Sequence, residues 1–330
     1  MSKTYRAAVC TALTGPDSIR IQELDATPLQ AGEVRIAVKA AGLNFPDLLM
    51  TYGNYQYRPS PPFVPGLEIA GEVTELGPEV TGLSVGDRIM GGSKGNGYAE
   101  QIILPASSIR PLPGAFTFAE GACWHGAAIT AWHALHDKAA LQAGESILIL
   151  GASGGVGMAA VKLAKHIGAL VIGTGSSDAK RQAISKAGAT HSLDPADPDL
   201  AAKVKELTGG KGADVVFDPV GGDLAITATR SISWGGRYLI VGFASGKIPS
   251  FPANHALIKG YSLIGLRAGE SGRRDPQLAQ RNEKALRDLA QQGIMRPHIS
   301  HSFALDDSAD ALRALEQRKV IGRAVIDMTL

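Results

Sequence analysis

The sequence predicts an α/β protein of two domains, one mostly β and the other a doubly wound parallel sheet, and three observations carry that prediction. At 330 residues the chain is longer than one hydrophobic core usually serves. Its first hundred residues break into short strand-like runs separated by glycine turns, with few long helical patterns. From about Glu120 the texture changes to helices alternating with continuously apolar runs, the mark of parallel strands covered on both faces.

Residues 5–10, 19–24, 34–41, 69–76 and 98–104 read as the strands of the first part. The most informative segment follows the apolar run Ser146-Ile147-Leu148-Ile149-Leu150. It is Gly151-Ala152-Ser153-Gly154-Gly155-Val156-Gly157, and Ala159, Ala160, Leu163, Ala164 and Ile167 continue it as a helical apolar face. A buried strand, a glycine turn and a helix N-terminus place backbone N–H groups and a positive dipole end where a dinucleotide pyrophosphate can sit. Ala152 stands where the usual first glycine would be. Gly154 then permits close backbone approach, Gly157 permits tight helix packing, and Ser153, Gly155 and Val156 complete the turn.

Residues 169–173 supply the next strand, and 214–218, 237–241 and 261–266 extend the sheet. After Leu266 come a polar turn over 269–275, helices over 277–292 and 307–318, and a closing strand over 322–328. These pieces do not repeat a βαβ unit. They read as a return to the first domain, giving a discontinuous mostly-β domain of 1–124 and 267–330 wrapped around a contiguous dinucleotide domain of 125–266.

The end of the second strand selects the dinucleotide. An acidic residue there normally accepts from the ribose hydroxyls of NAD, and here the position is Gly175. Ser176, Ser177, Lys180 and Arg181 follow, offering hydroxyls and cations that suit a 2'-phosphate. NADPH is therefore expected over NADH.

Composition excludes other classes. Lys and Arg total 33 against 31 Asp and Glu, a formal charge of +2, so no strong field for nucleic acid or an anionic membrane exists. No apolar stretch reaches the roughly 18 residues of a membrane span, and the first residues lead into a strand-like run instead of a signal peptide. A cytoplasmic protein is expected. Cys10 and Cys123 are too isolated in sequence for a disulfide framework or a cysteine metal site, and read as packed thiols. His133 and His136, at helical spacing beside Trp132, read as surface or packing histidines.

Further markers run along the chain: Ala41-Gly42-Leu43-Asn44-Phe45-Pro46-Asp47, Val64-Pro65-Gly66-Leu67-Glu68-Ile69-Ala70-Gly71-Glu72-Val73, Val85-Gly86-Asp87-Arg88, Ile129-Thr130-Ala131-Trp132 and Val241-Gly242-Phe243-Ala244-Ser245-Gly246. With the glycine turn, they make the whole chain resemble the medium-chain dehydrogenase/reductase superfamily and, within it, the zinc-independent quinone oxidoreductases, the zeta-crystallin-like group. The resemblance implies a GroES-like mostly-β catalytic domain and a Rossmann cofactor domain. Zinc-dependent relatives carry Cys where this chain has Asn44 and His where it has Leu67, and they insert a four-cysteine lobe that is missing after Asp87. The resemblance thus implies no metal, and a substrate that accepts hydride readily, a quinone or an activated enone.

It also implies roles for single residues. Asn44 orients a substrate carbonyl or a nicotinamide ribose hydroxyl, or else fixes its own turn. Asp47 caps the segment that follows or anchors Asn44 from behind. Tyr55, with Tyr52 nearby, contacts substrate or forms a packed rim. Thr130, Gly242, Phe243 and Ser245 lie along the nicotinamide, and Ser176 and Lys180 at the 2'-phosphate. Pro195 replaces a tyrosine that often grips that phosphate, leaving more to Lys180 and Arg181. Arg323 contacts cofactor phosphate or caps the last strand. Arg267 ends a run that reads as buried, so it faces either the active site, with Arg273 and Arg274 near an acyl-CoA's phosphates, or an ion pair. Two functional readings besides quinone reduction stay open: reduction of the C=C bond of an enone or enoyl-CoA, and a non-catalytic NADPH-binding sensor. The strands 237–241 and 261–266 sit where relatives pair edge to edge, so a homodimer is expected.

Overall fold

The structure, a computed structural model, describes residues 4–330 and divides into two compact units, Met1–His125 with His298–Leu330, and Gly126–Pro297. The return to the first unit, expected at Arg267, falls at His298 in this division, and residues 267–297 lie with the second unit.

In the first unit, β1 (Thr4–Cys10) and β2 (Ile19–Asp25) form an antiparallel pair. Next come β3 (Glu33–Gly42), β4 (Glu68–Leu76), β5 (Arg88–Gly92), β6 (Gln101–Pro105) and β7 (Ile109–Pro111). The run expected as one strand over 98–104 begins later, because residues 98–100 bond to β1, the Ala8 N–H donating to Tyr98 and the Glu100 N–H to Arg6, before β6 joins β3. Alternation along β3 buries Val34, Ile36 and Val38, which join Ile69, Val73, Ile89, Ile102 and Leu104 in one core.

The second unit is a six-stranded parallel sheet of β8 (Ser146–Ile149), β9 (Leu170–Thr174), β10 (His191–Leu193), β11 (Ala213–Asp218), β12 (Ile232–Ile240) and β13 (Ser262–Gly265). The spatial order is β10-β9-β8-β11-β12-β13. Ile147, Leu148, Ile149, Val171, Ile172 and Val215 through Phe217 are wholly buried, as strands covered on both faces require. The chain runs outward from β8 to β10 and then returns to pair β11 on the other side of β8. That reversal is a topological switch point, where ligands of open α/β sheets bind beyond the carboxyl ends of the strands.

Two expectations change here. The strand expected over 237–241 runs from Ile232 and lies between β11 and β13, so only β13 is an edge of the two. The polar turn expected over 269–275 is the helix Ala268–Arg274, whose Glu270 pairs with Arg273 and Arg274 at i,i+3 and i,i+4. The helix expected over 277–292 is Pro276–Gln291, begun by Asp275, which accepts from the Leu278 N–H.

The chain closes the first unit with β14 (Ile299–Phe303) and β15 (Arg323–Asp327), which extend the sheet to seven strands in the order β14-β15-β3-β4-β5-β7, with β6 also on β3. β15 runs antiparallel to β3, with Val325 opposite Gly42, and the Leu43 N–H donates to Ala324 at 3.0 Å. This register brings Arg323 to the end of β3. No helix among the described residues is long and apolar enough to cross a membrane.

Candidate active site

In the first unit the candidate residues form a buried network. Asn44 precedes the helix Phe45–Thr51 with an extended backbone. Its N–H donates to Asp47 Oδ2 at 2.9 Å, so Asp47 satisfies an otherwise orphaned donor at the helix start. Capping and anchoring, posed as alternatives, are one arrangement. Asp47, fully buried, also accepts from the Gly66 N–H at 3.1 Å and the Tyr98 hydroxyl at 3.1 Å. Burial pushes its carboxyl up to about 7, against the three donors, which pull the other way. Burial and the neighbouring Asp47 push the Tyr98 phenol well above its usual value, so it stays a donor.

Arg323, expected at a cofactor phosphate or as a cap on the last strand, opens β15 and turns its side chain into this network. It is 7% exposed, its Nη1 donates to Asn44 Oδ1 at 2.8 Å, and its Nη2 donates to Glu68 Oε2 at 2.9 Å. Both terminal nitrogens of the guanidinium are engaged inside its own unit. Burial pushes the neighbouring Cys123 thiol up to about 11, which leaves it a packed thiol rather than a nucleophile.

In the second unit the glycine turn leaves β8 at the switch point. The Gly151 N–H donates to Thr174 Oγ1 at 3.1 Å and the Ala152 N–H to the Thr174 carbonyl, tying the turn to the end of β9. The helix Gly155–Ile167 starts here with Gly154 as its N-cap, so its first N–H groups lack intrahelical acceptors. A Cβ on Gly157 would lie 2.4 Å from the Gly151 carbonyl oxygen, whereas one on Gly154 would approach nothing closer than 3.5 Å. Gly157 is glycine because the protein packs against it. Gly154 has no such internal reason.

The neighbouring loops are clamped beside this turn. Asp218, at the end of β11, accepts from the Val220 and Gly221 N–H groups and from the Tyr238 hydroxyl, at 2.8, 2.9 and 2.8 Å. The Ala244 and Ser245 N–H groups donate to Pro219 and Val220, which holds the Gly242–Ser245 segment against the β11 loop. Phe243 is 37% exposed there. A Cβ on Gly175 would lie 2.8 Å from Ile184 Cδ1 and 3.2 Å from the Arg181 backbone nitrogen, so Ile184 would have to shift to admit a side chain where NAD enzymes carry an acid. Ser176 is exposed, with Lys180 Nζ 3.5 Å from its hydroxyl, while Ser177 caps the helix Asp178–Ala187. Arg181 is diverted: it donates to the Gly175 carbonyl and pairs with Asp178 and Asp194. Thr130 lies on the helix His125–Trp132, and its hydroxyl donates to the Gly126 carbonyl at 2.7 Å.

Residues 30–114 match the alcohol dehydrogenase GroES-like domain family and 155–285 the family described as zinc-binding dehydrogenase. A quinone oxidoreductase-like protein 2 homolog of Nematostella vectensis is 40% identical over 328 residues, covering 98% of this chain and 89% of that relative. The chain belongs to the quinone oxidoreductase-like branch of the medium-chain dehydrogenase/reductase superfamily. A mycobacterial protein solved in complex with NADPH superposes with a TM-score of 0.88 at 30% identity, covering 98% of this chain and 99% of that one. The CurK enoyl reductase superposes with a TM-score of 0.88 at 25% identity, each chain covered to 99%.

This oxidoreductase therefore has a GroES-like domain and a dinucleotide-binding Rossmann domain. Its remaining candidates fall outside the two networks. Tyr55 sits half-buried in a loop where its carbonyl accepts from Arg58, and Tyr52 donates its hydroxyl to Glu316. Arg267 is exposed, and β13 before it is mostly exposed too, so the burial that made this cation costly is absent. Arg273 and Arg274 are held by Glu270. His133 and His136 both direct Nδ1 at Asp137, at 2.7 and 3.0 Å, in a cluster completed by Asn282. Among the described residues no three His, Cys, Asp or Glu are grouped to hold a metal. Sequence reading gave Tyr98, Asp218 and Tyr238 no role, and missed the part Glu68 plays in holding Arg323. Local patterns carry no signal for these pairings, because the side chains that meet lie on different elements.

Proposed function

We propose that this oxidoreductase transfers hydride from NADPH to a quinone or a similarly activated carbonyl without a metal. The observation that carries the reading is Asn44: at the position where zinc-dependent relatives have a cysteine ligand, an amide is held by Arg323 at the half-exposed tip of a buried network. An oriented N–H donor stabilises charge that develops on a carbonyl oxygen. Quinones need no stronger electrophile.

The residues present fit the dinucleotide. Gly154 leaves open the space that a backbone approach to the pyrophosphate uses, and the first N–H groups of the helix Gly155–Ile167 are the donors for it. Ser153, Gly155 and Val156 complete that turn. Gly175, Ser176 and Lys180 form the 2'-phosphate side, and Thr130, Gly242, Phe243 and Ser245 the nicotinamide side. When bound, NADPH supplies the hydride. Asn44 orients the carbonyl, and the hydroquinone anion that results takes its proton from water.

The enoyl reductase among the structural neighbours favours a second reading, reduction of an activated C=C bond. Initial rates of NADPH consumption with para-quinones, alkenals and short enoyl-CoA esters, each repeated with NADH and with a chelator, separate the two. Chelator-insensitive, NADPH-selective turnover of quinones is expected. Turnover confined to enoyl-CoA would move the function to alkene reduction, and loss of activity with chelator would sink the metal-free reading.

We also propose a homodimer through the β13 edge, where Leu263 is 40% exposed and Trp234 and Leu257 are 80% and 82% exposed.

A further inference from the structure

We propose that Arg323 is a positioning residue that makes Asn44 an outward hydrogen-bond donor, so that the site selects a ligand oxygen able to accept. The inference deepens the proposed function and rests on Asn44 being its polar pocket residue. A guanidinium only donates, so the Asn44 atom 2.8 Å from Arg323 Nη1 is the amide oxygen. That fixes the flip of the amide. One Nδ2 hydrogen points to the Gly42 carbonyl at 3.3 Å, and the second has no acceptor among the described residues.

The rest of the network holds this arrangement. Asp47 fixes the backbone of Asn44 by accepting its N–H at 2.9 Å. Glu68, 2.9 Å from Arg323 Nη2 and with a side chain only 13% exposed, fixes the guanidinium and cancels its charge. An anionic ligand therefore gains little from Arg323. What reaches Asn44 is polarisation: a cation donating to the amide oxygen draws electron density from the nitrogen and strengthens the outward N–H. A ligand carbonyl matches that donor. A ligand group that can only donate would have to share the amide oxygen with the guanidinium, which already takes one of its two acceptor positions.

Steady-state kinetics with NADPH and a para-quinone test the proposal through a double-mutant cycle of Arg323→Lys and Asn44→Ala. Arg323→Lys keeps a cation for Glu68 but loses the fork that reaches both partners. It should lower kcat roughly tenfold, within the range of coupling between touching side chains, while KM for NADPH changes less than about twofold. In the Asn44→Ala background it should cost nothing further. An equal cost in both backgrounds, or a loss confined to KM for NADPH, would overturn the proposal in favour of a direct phosphate contact or a purely structural role. If Arg323→Lys fails to fold, the paired Arg323→Gln, Glu68→Gln variant replaces it, since it leaves no buried charge.

A chain that turns over no quinone would sink the functional reading but not this one. The proposal is then read from the side-chain amide resonances of Asn44 in a 15N-labelled sample. Two well-separated protons that converge in Arg323→Lys support it, and an amide pair indifferent to Arg323 overturns it.

Discussion

Asp47 shows how one buried carboxyl ties pH to stability. Its ordinary value is 3.8, and burial pushes it up to about 7 in the folded chain. Folding thus favours the protonated carboxyl. The group's stabilising contribution is complete below the unfolded value and is lost as pH rises through about 7, by on the order of 4 kcal/mol at most. Urea unfolding between pH 4 and 8 should show stability falling with pH through this window, and Asp47→Asn should flatten the slope. At pH 4, where the folded carboxyl already carries a proton and so a donor of its own, the same variant should change stability by no more than about 1 kcal/mol. A pH profile identical in both proteins would show that Asp47 does not titrate in this range.

The glycine turn separates two reasons for one residue type. Gly157 is required by packing, with a Cβ only 2.4 Å from the Gly151 oxygen, so Gly157→Ala should destabilise by about 1–3 kcal/mol through overpacking. Gly154 faces open space, so Gly154→Ala should leave stability within about 0.5 kcal/mol and yet weaken NADPH binding at least tenfold. Thermal melts and cofactor titration of both variants check the contrast. If Gly154→Ala binds NADPH as tightly as the parent chain, the pyrophosphate does not approach that face. The clasp between the segment His133–Lys138 and the helix Pro276–Gln291 belongs to this scale as well. Asp137 accepts from both imidazoles and from Asn282, so Asp137→Ala leaves several donors unmet and should cost about 1–3 kcal/mol in denaturant unfolding.

For the whole molecule, two outcomes are expected in solution. A ligand that binds only the folded chain raises its stability by mass action, about 2.7 kcal/mol at a hundred times its Kd. NADPH should therefore raise the melting temperature at concentrations where NADH does not, given Gly175 in place of an acid and Lys180 beside Ser176. Equal shifts with the two cofactors would remove the 2'-phosphate preference. Light scattering at micromolar concentration should give a dimer mass, and Leu263→Lys on the exposed β13 edge should shift it towards monomer. A monomer in the parent chain would show that the exposed Trp234, Leu257 and Leu263 serve something else.

The two-domain α/β class, the parallel sheet and the dinucleotide turn were determined by the sequence alone, because each rests on local signals. Continuous apolar runs mark strands covered on both faces, and the glycines from 151 to 157 mark a strand-to-helix turn whatever lies around it. The tertiary structure decided the rest. Arg323 meets Asn44 across 279 residues because β15 adds to β3 in one register, which no local pattern records. Tyr98 reaches Asp47 across 51 residues, a loop residue meeting a helix residue that no local pattern joins. The apolar letters of β13 look like those of a buried strand, and only its place as the last strand beside β12 leaves them exposed and frees Arg267 from any burial cost. Periodicity reports how a segment folds upon itself, whereas the ladder of hydrogen bonds between distant strands decides which side chains share a site.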